Sequence, residues 1–182
     1  MPMRQRGFSL VVSLVMLLLM TLLGLVLMRN LIVNQNAAGN LAEKQRAIDA
    51  AQTGMDAVQF WLAQPGNVYN GSWNTGVDCS QNQPSASSPT VCSNAAPMPD
   101  PLPWDQASQF QAAAMQVQTT GGVGTYAAAV QYHVQYLGST TVNPPTALYK
   151  VTAAGQGGNA TAKAVIESVF QVQTLSRDIG GN

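Results

Sequence analysis

Charge is scarce in this chain, and so are the side chains on which most catalytic sites depend. Of its 182 residues, 8 are Lys or Arg, 8 are Asp or Glu and 1 is His, so the formal net charge is zero. No basic patch is present that would bind nucleic acid. One histidine and scattered carboxylates offer neither a nucleophile–base pair nor the spacing of metal ligands. The sequence therefore predicts no enzymatic activity, no metal site, no cofactor and no nucleic-acid partner.

Two features of the sequence could be mistaken for a ligand-binding or catalytic site. The stretch Gly155-Gln156-Gly157-Gly158 suggests a phosphate cradle, but such a loop should open a helix and carry Lys and Ser/Thr in register. Since this stretch joins two strand-like segments, it predicts a hairpin turn. The single histidine, His133, lies between Gln131 and Gln135 on the polar face of a predicted strand. We expect a solvated or hydrogen-bonded side chain there, and neither a metal ligand nor a base.

Charge is absent altogether from Phe8 to Met28, the one long hydrophobic run. At about 1.5 Å per residue this run reaches about 31 Å, enough to cross a hydrocarbon core of about 30 Å. A secretory signal would have a shorter apolar core followed by a small-residue cleavage site. Arg4 and Arg6, just before the run, favour a cytoplasmic N-terminus. The sequence predicts one membrane crossing.

Cys79 and Cys92 are the only cysteines. An even number beyond a membrane segment suggests a disulfide formed in an oxidising compartment, with two free thiols as the alternative. Closing so short a loop would stabilise the fold by about 3 kcal/mol in the chain-entropy model.

Helical periodicity continues beyond the apolar run. An amphipathic stripe follows at alternating spacings of three and four residues after its first member, and Pro65-Gly66 ends the pattern. The stripe consists of Leu41, Ile48, Ala51, Met55, Val58 and Leu62. One helix from Phe8 to Leu62 would be about 80 Å long. Half of it must be covered by something other than its own domain, such as lipid or other subunits.

The remainder of the chain predicts a small sheet. Residues 67–103 are expected to form an irregular segment with Trp73 and Trp104 anchoring its ends onto the core. A short helix is expected over 105–118, with Phe110, Ala113, Ala114 and Val117 pointing inward. Alternating apolar residues then predict three strands, over 126–136, 147–153 and 160–172. A three-stranded antiparallel meander of this kind has an apolar face that the helical stripe can cover. The expected fold is α+β, with a long N-terminal helix packed on a small antiparallel sheet.

The junction Arg6-Gly7-Phe8-Ser9-Leu10-Val11 resembles the type III leader of type IV prepilins. The resemblance implies that a prepilin peptidase cuts between Gly7 and Phe8 and methylates the new N-terminus at Phe8. It divides the chain into a leader (1–7), a membrane-spanning and assembly half of the helix (8–28), an amphipathic half (29–63) and a globular head (64–182). An ordinary single-pass anchor is the competing interpretation.

Two further segments resemble the PilX-type minor pilins. Ala38-Gly39-Asn40-Leu41 and Ala47-Ile48-Asp49-Ala50-Ala51 match steps in the N-terminal helix of that family, and Tyr149 to Gly158 resembles its C-terminal hairpin. The resemblance implies a minor pilin that primes or caps type IV pilus assembly in a tip complex. The implied partners are other minor pilins, the major pilin, the prepilin peptidase and the inner-membrane assembly platform. The implied location is the inner membrane, with the head periplasmic, before assembly and the pilus afterwards.

One position departs from the pattern of most pilins. The fifth residue of the expected mature chain is Val12, where most pilins carry a glutamate thought to neutralise the terminal ammonium of a neighbour. Since a buried unpaired charge costs several kcal/mol, this substitution favours a tip or priming subunit over a shaft subunit. The alternatives are a pseudopilin of a type II secretion system and a single-pass periplasmic protein without a filament role.

Overall fold

The computed structural model describes residues 8–64, 67, 76–80, 89–96, 102, 104, 106–120, 124–140 and 146–173. Helix α1, Phe8–Ala63, is continuous, so the predicted single helix is confirmed. Two compact units divide the chain after Ala42, and α1 contributes to both. Unit 1 contains the helix up to Ala42, and unit 2 begins at Glu43 and contains the rest of the helix and the sheet. The predictions for residues 1–7, Pro65-Gly66 and Trp73 lie outside the described residues.

The sheet of unit 2 is built around a three-stranded antiparallel meander, as predicted. The strands are β1 (Val91–Cys92), β2 (Ser108–Phe110), β3 (Val130–Thr140), β4 (Thr146–Gln156) and β5 (Lys163–Gln173). Their order is β1-β3-β4-β5, with β2 also on β3. Because β4 occupies one side of β3, parallel β1 and antiparallel β2 share the other side. Helix on sheet is the α+β arrangement that the periodicity predicts and the pilin-like arrangement that the resemblance implies.

The predicted helix over 105–118 is wrong. The described part of that segment forms β2, a turn and a bridge from Val117 to Tyr126. The side of β3 not taken by β4 offers backbone partners at residues 130–132, and such tertiary pairing outweighs a weak local helical preference. Phe110 packs against the main core, while Ala113 and Ala114, expected to point inward, are exposed.

The bounds of the three long strands also differ from the prediction: β3 runs on to Thr140 and β4 to Gln156, and the starts of β3 and β5 lie three or four residues later than expected. Strand β3 begins at Val130 because the chain before it pairs differently: the amide of Tyr126 donates to the carbonyl of Gln116. Residues 160–162 belong to a turn before β5. The Asn159 carboxamide oxygen accepts hydrogen bonds from Thr161 and Ala162 and closes that turn.

The helical face that covers the sheet is made largely of small residues. Its buried members are Ala47, Ala50, Ala51, Gly54, Met55, Val58 and Leu62. Opposite them, Tyr132, Val134, Tyr149, Val151 and Ala153 complete the main core. The predicted stripe is wrong at Leu41, which is 71% exposed, and Ile48 is only partly buried. Burial on the helix begins further along, where the β4–β5 turn meets it.

The smallness of these residues follows from a backbone-to-backbone approach. A Cβ built on Gly155 in β4 would lie 2.4 Å from the carbonyl oxygen of Ala47 and 2.5 Å from the amide nitrogen of Ala51. A Cβ on Gly54 would lie 2.4 Å from a methyl carbon of Val130. Real Cβ atoms do not come this close to backbone atoms, so strand and helix can touch here only through glycine and alanine.

We expect Gly155→Ala to destabilise the protein by about 1–3 kcal/mol, because the added methyl overpacks against main-chain atoms that cannot rotate away. The measurement is the unfolding midpoint of the detergent-solubilised protein. Gly39→Ala is the matched control, since a Cβ there has nothing within 4 Å. The control should be neutral or stabilise by up to about 1 kcal/mol. Equal midpoints for Gly155→Ala and the wild type would contradict the close approach.

Candidate assembly site

The helix of unit 1 presents an apolar surface that its own chain leaves uncovered. Every residue from Phe8 to Ala42 is exposed, including all the leucines, valines and methionines. Among the described helices it is the one long and apolar enough to cross a membrane. An exposed apolar surface of this extent requires lipid or other apolar helices as its surroundings.

The few polar groups within this surface are arranged to suit an apolar environment. The hydroxyl of Ser13 donates to the carbonyl of Leu10 at 2.9 Å, and that of Thr21 donates to the carbonyl of Leu18 at 2.8 Å. Hydroxyls bonded inside their own helix need no partner from solvent. Arg29 is the single charged residue from 8 to 42, and the first carboxylate after Phe8 is Glu43. The helix therefore has no acid of its own along the whole of unit 1.

The expected peptidase junction is described on one side only. Phe8 is the first residue of α1 and is exposed, whereas Gly7 lies outside the described residues. Val12 lies in the first turns of the helix with its side chain partly exposed. Cleavage before Phe8, methylation of Phe8 and the role of Val12 stay predictions.

Where unit 2 begins, a cluster of charged side chains attaches the helix to the β4–β5 turn. The carboxylate of Glu43 accepts a hydrogen bond from the amide of Gly158 and pairs with Arg46 at 2.9 Å. The guanidinium of Arg46 also donates to the carbonyl of Thr125 and lies 5.0 Å from the centre of the Tyr126 ring. Both side chains are about three-quarters buried, so solvent screens these bonds only in part.

The glycines of the Gly155–Gly158 stretch are explained by this cluster and not by phosphate binding. A Cβ on Gly157 would lie 2.5 Å from the carbonyl oxygen of Glu43, and one on Gly158 would lie 2.7 Å from an Arg46 nitrogen. The stretch joins β4 to β5, as the hairpin prediction required. Because these glycines have no side chain, the helix and its charged side chains can approach the turn closely.

On the other side of the sheet, the disulfide holds a second group of elements. Cys79 and Cys92 are bonded to each other and fully buried, so the predicted bridge is confirmed. It places the 76–80 segment beside β1, where the amide of Val77 donates to the carbonyl of Val91 at 3.0 Å. Hydrogen bonds from the Ser80 hydroxyl and then its amide lower the pKa of Asp78 and fix the turn that contains Cys79.

The polar face of β3 is covered at Gln131 and His133, for which the sequence left a solvated and a hydrogen-bonded side chain as alternatives at His133. His133 is 2% exposed, and its two ring nitrogens lie 2.9 Å from the carbonyl oxygen of Gln106 and 3.0 Å from that of Asn94. Gln131, also buried, accepts a hydrogen bond from the amide of Trp104 at 3.0 Å. Of the two alternatives for His133, the hydrogen-bonded side chain is confirmed.

The same cover is joined to the disulfide through one asparagine. The side-chain oxygen of Asn94 accepts from the amide of Cys79 at 2.9 Å, and its nitrogen donates to the side chain of Gln106 at 2.8 Å. The bridge, Asn94, Gln106 and β3 are therefore joined in one partly buried polar network. Trp104 is buried within this cover, as expected of an anchor.

Sequence reasoning missed Asn94, Gln131 and His133 as contact residues because alternation reports which side chains are polar, and not what covers them. One available signal was the predicted packing of Trp104, since a buried tryptophan implies a surface beneath it. In the part of the chain that the structure describes, no group of three or more His, Cys, Asp or Glu side chains could hold a metal ion.

An exposed apolar helix that continues into a helix-on-sheet head is the architecture of type IV pilin-like proteins. Comparison with family models supports this class over nearly the whole chain. Residues 6–56 match the PilX N-terminal model, and residues 50–172 match the model of the C-terminal part of type IV pilus assembly protein PilX. The chain belongs to the PilX family, whose members are minor pilins of type IV pilus assembly. No curated protein and no solved structure matches at a comparable level.

We expect His133→Ala to destabilise unit 2 by about 2–4 kcal/mol, since it removes the imidazole ring that lies between the carbonyl groups of Asn94 and Gln106 and leaves a cavity. Hydrogen exchange should locate the loss: the Trp104 amide becomes faster while amides shared by β4 and β5 keep their rates. Gln135→Ala is the matched control, because that side chain lies on the same face of β3 but is only partly buried. Equal losses of stability for the two variants would contradict the role of His133 in holding Asn94 and Gln106 against β3.

Proposed function

We propose that this minor pilin primes or caps the assembly of type IV pili within a tip complex that contains other minor pilins. The observation that carries the proposal is the uncovered apolar helix of unit 1 together with the absence of any carboxylate before Glu43. Apolar helices supply the packing that joins pilin subunits, while Val12 leaves a neighbour's terminal ammonium without an acid partner. A subunit at the end of a filament has no need to accept one.

The proposed sequence of events begins in the inner membrane. The chain crosses once with its N-terminus in the cytoplasm and its head in the periplasm, and residues 1–7 are removed by the prepilin peptidase. Phe8, now methylated, becomes the first residue of the mature helix. The assembly platform then transfers the apolar half, 8–28, from lipid into the helical bundle of the filament, while 29–63 supports the head over 64–182.

The role of the head in this proposal is structural. The Cys79–Cys92 segment and the sheet edges offer surfaces by which neighbouring minor pilins, and beneath them the major pilin, are chosen. The match of residues 50–172 to the C-terminal PilX model supports the pilus over the related type II secretion system. Buried side chains here serve packing and hydrogen bonding, and the proposal assigns the protein no catalysis.

The first test concerns the mature N-terminus. Mass spectrometry of the protein from cells with an active prepilin peptidase should find a chain that starts with methylated Phe8. In a peptidase-deficient strain the leader should be retained, which is the matched control. An intact Met1 leader in the peptidase-positive strain would rule out the pilin mechanism and leave the single-pass anchor.

The second test concerns position in the filament. Deletion of the gene should strongly reduce surface pili while type II secretion continues, and tagged protein in sheared pili should be found at one end. Val12→Glu should extend the label into the shaft, because it restores the acid partner for a neighbour's ammonium. Val15→Glu, an equally apolar and exposed site three residues further along, should not do so. Normal piliation with lost secretion would favour the pseudopilin, and shaft labelling of the wild type would contradict the tip role.

A further inference from the structure

The two edges of the sheet are treated very differently. On one side, β3 is shared by β1 and β2, which are 2 and 3 residues long. On the other side lies β5, 11 residues long, and it pairs with β4 along its whole length without a bulge. Within the described part of the chain, no strand pairs with the outer side of β5. One edge is therefore blocked and the other offers a long row of backbone hydrogen-bonding groups.

Edge strands of soluble proteins are usually protected by shortness, proline, bulges or charge. Strand β5 is long, contains no proline and has an unbroken register. Its two charged residues are Lys163, at the first position of the strand, and Glu167. Glu167 pairs with Lys150 of β4 at 2.9 Å, and the carbonyl of Lys163 accepts from the Lys44 ammonium at 2.5 Å. From Ala164 to Gln173 the single charged residue is therefore Glu167, which is paired within its own unit, so this length of the edge lacks the usual protective features.

The side chains of β5 are incompletely covered on both faces of the sheet. Val169, on the face away from the helix, is 55% exposed, and Val165 on the same face is exposed as well. On the helix side, Ile166 and Phe170 pack against the main core yet remain only partly buried. A further strand beside β5 would cover the β5 side chains on both faces of the sheet. A partner bound to one face would cover only one of these rows.

We propose that the free edge of β5 binds an extended segment of a different pilin subunit, which adds a strand to this sheet. The inference rests on the proposed function, since it names the surface by which the subunit meets its neighbour. Main-chain hydrogen bonds supply affinity in such strand addition, and alternate side chains supply specificity. The incoming strand carries apolar residues opposite Val165 and Val169 and a basic residue near Glu167, whose side chain is 52% exposed.

A second copy of this chain fits the edge poorly. Antiparallel pairing along the full length of two β5 strands would place Glu167 opposite Val169 and Val165 opposite Gln171. Parallel pairing in register would place Glu167 opposite Glu167. A shifted antiparallel register would pair Lys163 with Glu167 but leave the Val169 half of the strand unpaired. The pattern of charge and apolar residues therefore favours a different subunit.

The first experiment is site-specific photocrosslinking in piliated cells that express the full chain. A photoreactive amino acid at position 169 should crosslink to a peptide from a strand of another pilin subunit, identified by mass spectrometry. Position 77 is the matched control, because Val77 is 46% exposed but lies by the disulfide, across the sheet from β5. Crosslinks to a second copy, to a helix or to lipid, or equal yields at both positions, would overturn the proposal.

The second experiment separates this inference from the proposed function. Val169→Asp should reduce recovery of the crosslinked partner about tenfold, as expected when a charge enters a packed contact. The unfolding midpoint should stay at its wild-type value, because Val169 is exposed in the free protein. Val77→Asp should leave recovery unchanged.

Piliation then distinguishes the two failures. If gene deletion abolishes pili while Val169→Asp supports wild-type piliation and partner recovery, the edge proposal is wrong and the proposed function stands. If deletion itself leaves pili intact, the proposed function is wrong.

Discussion

The contact between the Gly155 backbone and the backbone of α1 is the constraint on which the rest of unit 2 depends. At this distance the helix can present only Ala and Gly to β4. The interface therefore contains no large helical side chain at the point where the two elements cross. In return, the β4–β5 turn comes within reach of Glu43 and Arg46, which bond to backbone groups of the turn and of the chain before β3. The close packing and the polar bonds therefore both hold the β4–β5 hairpin at the same position along the helix.

The two faces of the sheet are stabilised by different means. The helix side is an apolar core that includes Met55, Val58 and Tyr149, whereas the other face is closed at β3 by buried polar groups. His133 and Gln131 bond to a segment that Asn94 joins to the disulfide, so the cover lacks a large apolar core of its own and depends on the bridge to limit its freedom. Among the described residues the contacts of this cover are made with β3, whereas β5, at the far end of the strand order, pairs only with β4.

Much of this arrangement could be predicted from the sequence, because periodicity reports directly on elements with one buried face. The helix, the three long strands and the helix-on-sheet core follow from it, as does the disulfide from the cysteine count. The segment around β2 could not be predicted in this way, since Ser108–Phe110 become a strand only through pairing with β3. The prediction that Leu41 is buried was wrong for a different reason. An apolar side chain is suited to contacts outside its own unit as well as to a core. His133 shows that a polar residue on an alternating strand can be covered by an irregular segment that carries no period at all.

In the proposed function, assembly and folding depend on different residues of one helix. The side chains of 8–42 contribute no buried surface to the chain itself, so substitutions such as Val12→Glu should change the partners of the helix and leave the stability of unit 2 as it was. Beyond Glu43 the reverse holds, because Ala47, Ala51 and Gly54 are buried against the sheet. Most pilins place their assembly carboxylate five residues into the mature chain, whereas the first carboxylate here holds the turn of a hairpin. The charge that would pair with a neighbour is absent from the assembly surface, and the first acid of the helix serves the fold instead.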